Sequence, residues 1–209
     1  MHMFRRLALS LVVLMTLVAA TPAFAQQNAQ SGNSGGGGVG FGLEFGMTRA
    51  TIHAKDAADV FKSRNGLMGG IWFGGNRNGA VGFMGEITYV VKGAELPAGN
   101  LKLHYLEIPA LLRVNMGQRS RNGVIVYPMF GPVVDIQLKA DLAGFDVKDQ
   151  FNGVDFGVIG GVGFEAARVG VEVRGNWGLR TLAKEGTNFG GWTDTKNFTV
   201  QVLAKVRIN

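Results

Sequence analysis

The residues of this chain that could act as nucleophiles are few. Beyond residue 38 its serines are Ser63 and Ser120, its histidines are His53 and His104, and the chain contains no cysteine. His53 and Ser63 fall in one predicted loop, where a Ser/His pair would suit a hydrolase that modifies lipids. Neither serine lies in a G-x-S-x-G sequence, and no suitably spaced acid completes a triad. We therefore predict that the protein is not an enzyme, and we interpret both histidines as polar loop residues.

Metal, cofactor and nucleic-acid sites are not indicated either. Two histidines without cysteine are too few for a transition-metal site, and the spacing of Asp141, Asp146 and Asp149 does not match a calcium loop. The formal net charge is +6, but the lysines and arginines are spread through turns and alternate strand positions instead of forming one basic surface. We predict no metal, no cofactor and no nucleic-acid partner.

A further group of residues would do chemistry only if it were buried. Ten charged residues alternate with apolar residues, which places them on one face of extended segments. Buried together, they would form a network of ion pairs that fills a narrow space, a proton or ion path, or an acid/base pair. These residues are Glu44, Glu86, Glu107, Arg113, Asp155, Glu165, Glu172, Arg174, Lys205 and Arg207.

The elements that carry these charges are predicted by an apolar alternation of period two, which is typical of β-strands. The chain has 33 glycines, 46% hydrophobic residues and 17% charged residues, and most of the glycines alternate with Val, Ile, Phe and Leu. Eight segments show the alternation: 39–47, 67–73, 81–91, 106–115, 126–138, 154–165, 169–179 and 198–208. They predict a glycine-rich, all-β domain.

The lengths of the segments and of the gaps between them favour a membrane barrel. The segments exceed the about 5–6 residues usual for soluble strands and approach the about 9–11 that a tilted membrane strand needs. Gaps 50–65, 92–100, 140–153 and 180–196 are long, whereas gaps 74–78, 117–122 and 166–167 are short. Long outer loops that alternate with short periplasmic turns are typical of outer-membrane barrels. We predict an eight-stranded antiparallel up-and-down transmembrane β-barrel with both chain ends in the periplasm.

The last short gap also predicts a register. A two-residue turn at 166–167 would pair Glu165 with Arg168 and Phe164 with Val169, which keeps apolar opposite apolar. Alanines are poor residues for such a turn, so a slightly longer loop is an alternative.

The glycines decide which face meets lipid. Eight strands leave only enough interior space for side chains, and glycines beside Glu and Arg would make room there for long charged groups. A soluble barrel would instead place many Lys, Glu, Thr and Ser on its outer face. We therefore predict that the apolar face meets lipid and that the ten charges form a paired ionic network in the lumen.

The N-terminal residues predict export. Arg5 and Arg6 precede an uncharged run from Leu7 to Ala20, and Ala23 and Ala25 supply the small residues of a signal-peptidase site. The run is shorter than the about 20 residues that span a bilayer as a helix. We predict a signal peptide over 1–25, cleaved after Ala25, a flexible Gly/Ser/Gln leader over 26–38, and a barrel domain over 39–209.

Two stretches carry motifs of a known family. The first is Tyr105 to Arg113 (YLEIPALLR), and the second is Val154 to Glu165 (VDFGVIGGVGFE) followed by VEVRGNWGL at 171–179. They resemble the bacterial outer-membrane β-barrel family often called PorT-like, over about residues 39–209. The resemblance implies an eight-stranded outer-membrane barrel and does not imply one function.

The functional hypothesis follows from the location. We expect a structural or interaction role through the extracellular loops, with Phe189 and Trp192 of the longest loop as candidate recognition residues. The alternatives are a soluble periplasmic calycin-like ligand-binding barrel and, less favoured, a small channel or a lipid-modifying hydrolase. The expected partners are outer-membrane lipid, periplasmic chaperones, the barrel-assembly machinery and an unknown extracellular or envelope molecule. We expect a monomer.

Overall fold

The computed structural model describes residues 38–54, 61–117, 123–184 and 195–208. It contains ten strands: β1 Gly40–His53, β2 Lys62–Gly74, β3 Val81–Leu96, β4 Gly99–Val114, β5 Met116–Gly117, β6 Val124–Leu142, β7 Phe145–Asp146, β8 Val154–Ala166, β9 Val169–Gly178 and β10 Lys196–Arg207. One turn of 3₁₀ helix spans Lys148–Gln150. No helix among the described residues is long and apolar enough to cross a membrane. The predicted signal peptide and all but the last residue of the predicted leader lie outside the described residues.

The eight long strands form a closed antiparallel barrel. Neighbours in the order β1, β2, β3, β4, β6, β8, β9 and β10 are paired, and β1 pairs with β10 to close the ring. The two-residue strands β5 and β7 only add short pairings to β6. The prediction of an eight-stranded up-and-down barrel is confirmed. We call the end with the β2–β3, β4–β6 and β8–β9 connections the turn end, and the opposite end the loop end.

The outer wall carries a wide apolar belt. Alternate side chains point outward, so Phe45 and Val162 remain 59% and 57% exposed. A continuous apolar surface around the whole circumference is unfavourable in water and suits hydrocarbon. A soluble calycin-like barrel would point these side chains inward, so the direction of the apolar face contradicts that alternative.

The strands extend further toward the loop end than the sequence predicts. The segment 92–100 is not a long loop, because β3 continues to Leu96 and β4 begins at Gly99, which leaves only Pro97 and Ala98 between them. Gly93 and Gly99 adopt φ of +133° and +126° within the hairpin, a conformation that glycine tolerates.

The predicted register of the β8–β9 hairpin is wrong by two positions. Ala166 pairs with Val169 and Glu165 pairs with Gly170, so the turn consists of Ala167 and Arg168. Ala167 supplies the positive φ of +51° that a tight hairpin needs. A shift of two residues preserves the period-two alternation, so every side chain keeps its predicted face.

The barrel inverts its polarity at the loop end. On β4, Glu107 points inward and Leu106 outward, but nearer the loop end Leu101 and Leu103 are fully buried and Lys102 is exposed. The buried apolar residues at this end form one cluster, which we call the apolar cap: Ile52, Ala54, Phe61, Ala94, Leu101, Leu103, Tyr105, Ala140, Phe151 and Leu182. A polar outside around an apolar inside is the arrangement of protein in water, so this end of the barrel projects beyond the belt.

Arginine placed on the belt tests which face meets lipid. We expect V171R in β9 or V202R in β10 to cost about 2–4 kcal/mol of folding free energy in a bilayer, because each would place an ion in hydrocarbon. The control N100R lies at an exposed position of the loop end and should be nearly silent. Urea titrations of protein folded into phosphatidylcholine vesicles measure the difference. Equal tolerance at the three positions would contradict the assignment of the belt.

Candidate functional site

All ten charged residues predicted for the lumen have buried side chains inside the barrel. Nine of them take part in ion pairs, which form three groups along the barrel. Asp155 is the exception: it accepts a hydrogen bond from the backbone N–H of Phe156 (2.8 Å) and faces Asp135 across the β6–β8 pairing.

The middle group is centred on Arg174 of β9. Its two Nη atoms donate to the two carboxylate oxygens of Glu86 at 2.6 and 2.5 Å, and its Nε donates to Glu172 at 2.7 Å. Lys205 lies 2.5 Å from Glu86, 3.2 Å from Glu172 and 3.3 Å from Glu44. Two cations are therefore shared by three carboxylates, and the bidentate geometry with Glu86 is the strongest kind of Arg–carboxylate pair.

The group at the turn end gathers around Glu165 of β8. Arg77, Arg113 and Arg207 approach its carboxylate oxygens at 2.6, 3.0 and 3.3 Å. Arg113 also donates from Nε to Asn115 at 2.6 Å, and Arg77 donates to the carbonyl of Ala167 at 2.8 Å. This group reverses the charge ratio of the middle one, because three guanidinium groups share one carboxylate.

The third group lies beneath the apolar cap. Lys92 Nζ is 2.8 Å from Glu107 and 2.6 Å from Asp135. Gln201 and Asn176 each donate a side-chain hydrogen bond of 2.9 Å to Glu107. All the hydrogen-bond donors to Glu107 are thus fixed on other strands of the barrel, which is how a buried carboxylate is made tolerable.

Three charged members of the network were missed by the sequence analysis. Lys92 was assigned to a long loop, but the longer β3 turns it inward. Asp135 lies on the predicted inner face and could have been included on that basis. Arg77 belongs to the β2–β3 turn and folds back into the barrel mouth, for which the sequence holds no periodic signal.

Glycines stand beside the long charged side chains. In the strand pairings, most of the ten residues lie directly opposite a glycine: Arg207 faces Gly42, Glu44 faces Gly70, Arg113 faces Gly82, Arg174 faces Gly161, Glu172 faces Gly163, and both Glu165 and Lys205 face Gly170. A residue without a side chain leaves room for the neighbour to lie across the lumen. The charges therefore fit because their neighbours on the adjacent strand have no side chain.

Aromatic and aliphatic groups fill the remaining interior. The Arg113 guanidinium lies 3.8 Å from the centre of the Tyr127 ring, and the Tyr127 hydroxyl donates to Glu172 at 2.6 Å. Trp72 and Tyr127 belong to a buried apolar cluster with Met84, Leu111, Ile125, Met129, Val133 and Ile159. The lumen is therefore packed with both ionic and apolar side chains.

Among the described residues, no hydrogen bond joins His53 or His104 to Ser63. The His53 and Phe198 rings are tilted relative to each other, with their centroids 6.0 Å apart. His104 shares a 2.5 Å hydrogen bond with the Tyr89 hydroxyl and lies 3.7 Å from Asp141. Ser120, Phe189 and Trp192 lie outside the described residues. Within the described ranges, no group of three His, Asp or Glu side chains is arranged to hold a metal ion.

Comparison with known proteins gives a family and a fold. The family model described as "Outer membrane protein beta-barrel domain" matches residues 24–184. Neisserial surface protein A is similar in structure, with a TM-score of 0.52, 17% identity, and coverage of 82% of this chain and 99% of that chain. OprG from Pseudomonas aeruginosa gives a TM-score of 0.48 and 14% identity, with coverage of 81% of this chain and 93% of that chain. Ail of Yersinia pestis gives a TM-score of 0.46 and 14% identity, with coverage of 82% of this chain and 99% of that chain. No curated protein matches the chain.

Removal of Arg174 tests how much the fold depends on the middle group. We expect R174Q to lower the free energy of unfolding by about 3–5 kcal/mol, because Glu86 and Glu172 lose their guanidinium partner inside the barrel. K139Q is the control: Lys139 also contacts an acid, Asp141 at 2.9 Å, but its side chain is 57% exposed, and such pairs contribute about 0–1 kcal/mol. Urea unfolding in vesicles compares the two variants, and a larger loss for K139Q would contradict the paired interior.

An added methyl group tests the space beside the glycines. A Cβ at Gly163 would overlap the Tyr127 ring, whereas a Cβ at Gly153 has no atom within 4 Å. We expect G163A to destabilise the barrel by about 1–3 kcal/mol through overpacking and G153A to be neutral. If both variants unfold at the wild-type urea concentration, the packing around Tyr127 is looser than described.

Proposed function

We propose that this chain acts as a rigid anchor whose loop end binds a partner outside the cell. The chain belongs to the outer membrane protein beta-barrel domain family and is a protein of the bacterial outer membrane. The loop end would face the exterior, and the turn end and both ends of the barrel chain would face the periplasm. The role is one of structure and interaction, without catalysis.

The inverted polarity of the loop end is the observation that carries this proposal. The extension beyond the belt has its own buried core in the apolar cap, so it is ordered by packing in water and not by lipid. Its outer surface carries exposed charged residues, among them Glu95, Lys102 and Lys139. An interaction surface built on such a core is held in place before a partner arrives, which lowers the entropy cost of binding.

The longest loop is fixed to this core at both stems. Leu182 donates a backbone hydrogen bond to Thr195 (2.8 Å) and Lys184 donates one to Gln150 (2.9 Å). Ala183 forms a β-bridge with Phe151, and Leu182 and Phe151 both belong to the apolar cap. The candidate recognition residues Phe189 and Trp192 lie between these anchored stems, a position from which loops on rigid scaffolds commonly bind partners.

Solute conduction is disfavoured by the packing of the lumen. The apolar cap lies across the loop end, and ion pairs fill the middle with carboxylate and cation at hydrogen-bonding distance. An ion would have to break several of these pairs to pass, so we propose that the barrel is not a channel. The paired, solvent-excluded acids also support a non-catalytic role, because none is presented to a substrate cavity. Export by the predicted signal peptide, insertion by the assembly machinery and a monomeric state complete the proposal.

The cysteine-free sequence allows a clean test of orientation. We expect an impermeant maleimide to label N100C in intact cells, because that position lies at the loop end, and to label A80C in the β2–β3 turn only after lysis. The reverse pattern would place the loop end in the periplasm and overturn the proposal of an extracellular partner.

Deletion of the loop tip tests recognition separately. We expect removal of 187–193 to leave heat-modifiable gel migration intact, since both stems of the loop are held by the cap, and to abolish crosslinking to the partner in intact cells. Substitution of exposed Phe145 at the β6–β7 tip by serine is the matched control, because it removes an aromatic residue from a different tip. A deletion variant that folds and still crosslinks normally would exclude this loop as the site.

A further inference from the structure

Cations and aromatic rings meet on the outer wall where the belt reaches the loop end. On β1, Met47 belongs to the belt, and the next outward position toward the loop end is Arg49, whose side chain is exposed. Lys196 begins β10 and lies opposite His53 of β1. This part of the wall, formed by β9, β10 and β1, is called the edge patch, and it consists of Arg49, His53, Trp177, Lys196 and Phe198.

Two aromatic residues of the edge patch lie between its two cations. Phe198 is paired with Thr51 of β1 on one side and with Trp177 of β9 on the other. The Trp177 and Phe198 ring centroids are 5.6 Å apart, and Trp177 is 48% exposed. Tryptophan is favoured at the boundary between hydrocarbon and headgroups, because its ring is apolar and its N–H is polar. The edge patch therefore lies at the depth of the lipid headgroups.

The edge patch has no acid to balance its cations among the described residues. The acids of β1, β9 and β10 are Glu44 and Glu172, and both are buried in the lumen. Arg49 has Asn65 and Val200 as its cross-strand neighbours, and it forms no ion pair or side-chain hydrogen bond with any described residue. Its guanidinium group is thus available to an anion outside the protein.

The opposite edge of the belt is different. At the turn end, the outward side chains that end the described strands are apolar: Val81, Val114, Val124, Val169 and Ile208. Arg168 is exposed there, but it belongs to the β8–β9 turn and not to the wall of the belt. A cation at the edge of hydrocarbon extends toward the headgroups. The position of Arg49 therefore favours an anionic headgroup in one leaflet, the one that surrounds the loop end.

We propose that the edge patch binds a lipid with an anionic phosphate headgroup in this leaflet, and that Arg49 is its main phosphate ligand. A guanidinium group can donate two parallel hydrogen bonds to phosphate oxygens. Lys196, which lies further from the belt, adds positive potential. The acyl chains continue along the belt beside Met47, and the Trp177 and Phe198 rings contact the region between chains and headgroup.

Quenching of Trp177 by brominated lipid tests this site. The chain has three tryptophans, of which Trp72 is buried in the lumen, and W192F removes the one in the longest loop. The mature W192F chain is placed in phosphatidylcholine nanodiscs that contain a fixed share of either brominated phosphatidylglycerol or brominated phosphatidylcholine. We expect phosphatidylglycerol to be enriched beside Trp177 by about fivefold for each cation that acts on it. Equal quenching by the two lipids would overturn the proposal.

Matched variants in the same W192F background separate the edge patch from the net charge of the protein. We expect R49Q to lower the enrichment of phosphatidylglycerol by about fivefold and K196Q to lower it by a smaller factor. K148Q is the control, because Lys148 is exposed in the 3₁₀ helix of the projecting loop end and carries the same charge. It should show the enrichment of the parent. An equal loss in K148Q and R49Q, or no loss in either R49Q or K196Q, would overturn the site.

This test is independent of the proposed extracellular partner. The nanodisc contains no partner and has the same lipid in both leaflets, so the result does not depend on the side of the membrane that the loop end faces. A lipid preference without crosslinking in cells would leave the edge patch valid and remove the partner. Crosslinking without a lipid preference would do the reverse.

Discussion

The need to pair charge with charge inside a narrow space is the constraint on which the rest of this structure depends. Eight strands enclose room for side chains only, and the described lumen holds thirteen buried charged residues, seven of them acidic. An unpaired ion there would cost several kcal/mol, so the charges are paired, and several of the pairs join strands that are not neighbours in the sheet. Glu86 of β3 with Arg174 of β9 is such a pair. The ionic network thereby links strands that are not neighbours in the sheet, and it adds to the backbone ladder a second set of contacts that hold the cross-section together.

The change of solvent along the barrel sets where this network ends. On β4 the inward residues change from Glu107 to Leu103 within five positions, while the outward residues change from Leu106 to Lys102. Lipid outside requires an apolar wall and allows a polar interior, whereas water outside requires the opposite. The ionic network therefore lies where lipid surrounds the sheet, and the apolar cap lies where water surrounds the same sheet. Lys92 lies at their boundary, with its carboxylate partners toward the belt and the Tyr105 ring of the cap 5.4 Å from its ammonium group.

The same inversion explains which parts of the structure could be predicted from sequence. Period-two alternation sets the face of each residue, so strand number, the lipid-facing side and the burial of all ten predicted charges followed from it. The strand ends could not be predicted in this way, because at Leu101 and Ile52 the apolar residues occupy inward-facing instead of outward-facing positions. The apolar alternation is therefore interrupted although the strand continues. Ala167 shows a second limit: its positive φ depends on the hairpin it closes, and no local preference of alanine indicates it. Arg77 shows a third, because a turn residue reaches its partner Glu165 through a contact 88 positions away in the chain.

The number of glycines alone does not show which face of the barrel wall they lie on, because glycine occurs on the two faces for different reasons. Inside, Gly161 and Gly163 leave space for Arg174 and Tyr127, so the bare position is set by a long side chain from another strand. Outside, Gly160 and Gly175 lie beneath the Trp177 ring, which covers backbone that would otherwise lose packing contacts, as aromatic residues do for glycines in other sheets. Substitution inside would crowd Arg174 or the Tyr127 ring, whereas substitution outside would lift an aromatic ring into lipid. The neighbouring residue that occupies the space beside a glycine therefore identifies the face on which the glycine lies. A charged or internal aromatic side chain indicates the lumen, and an aromatic ring on the outer surface indicates the belt.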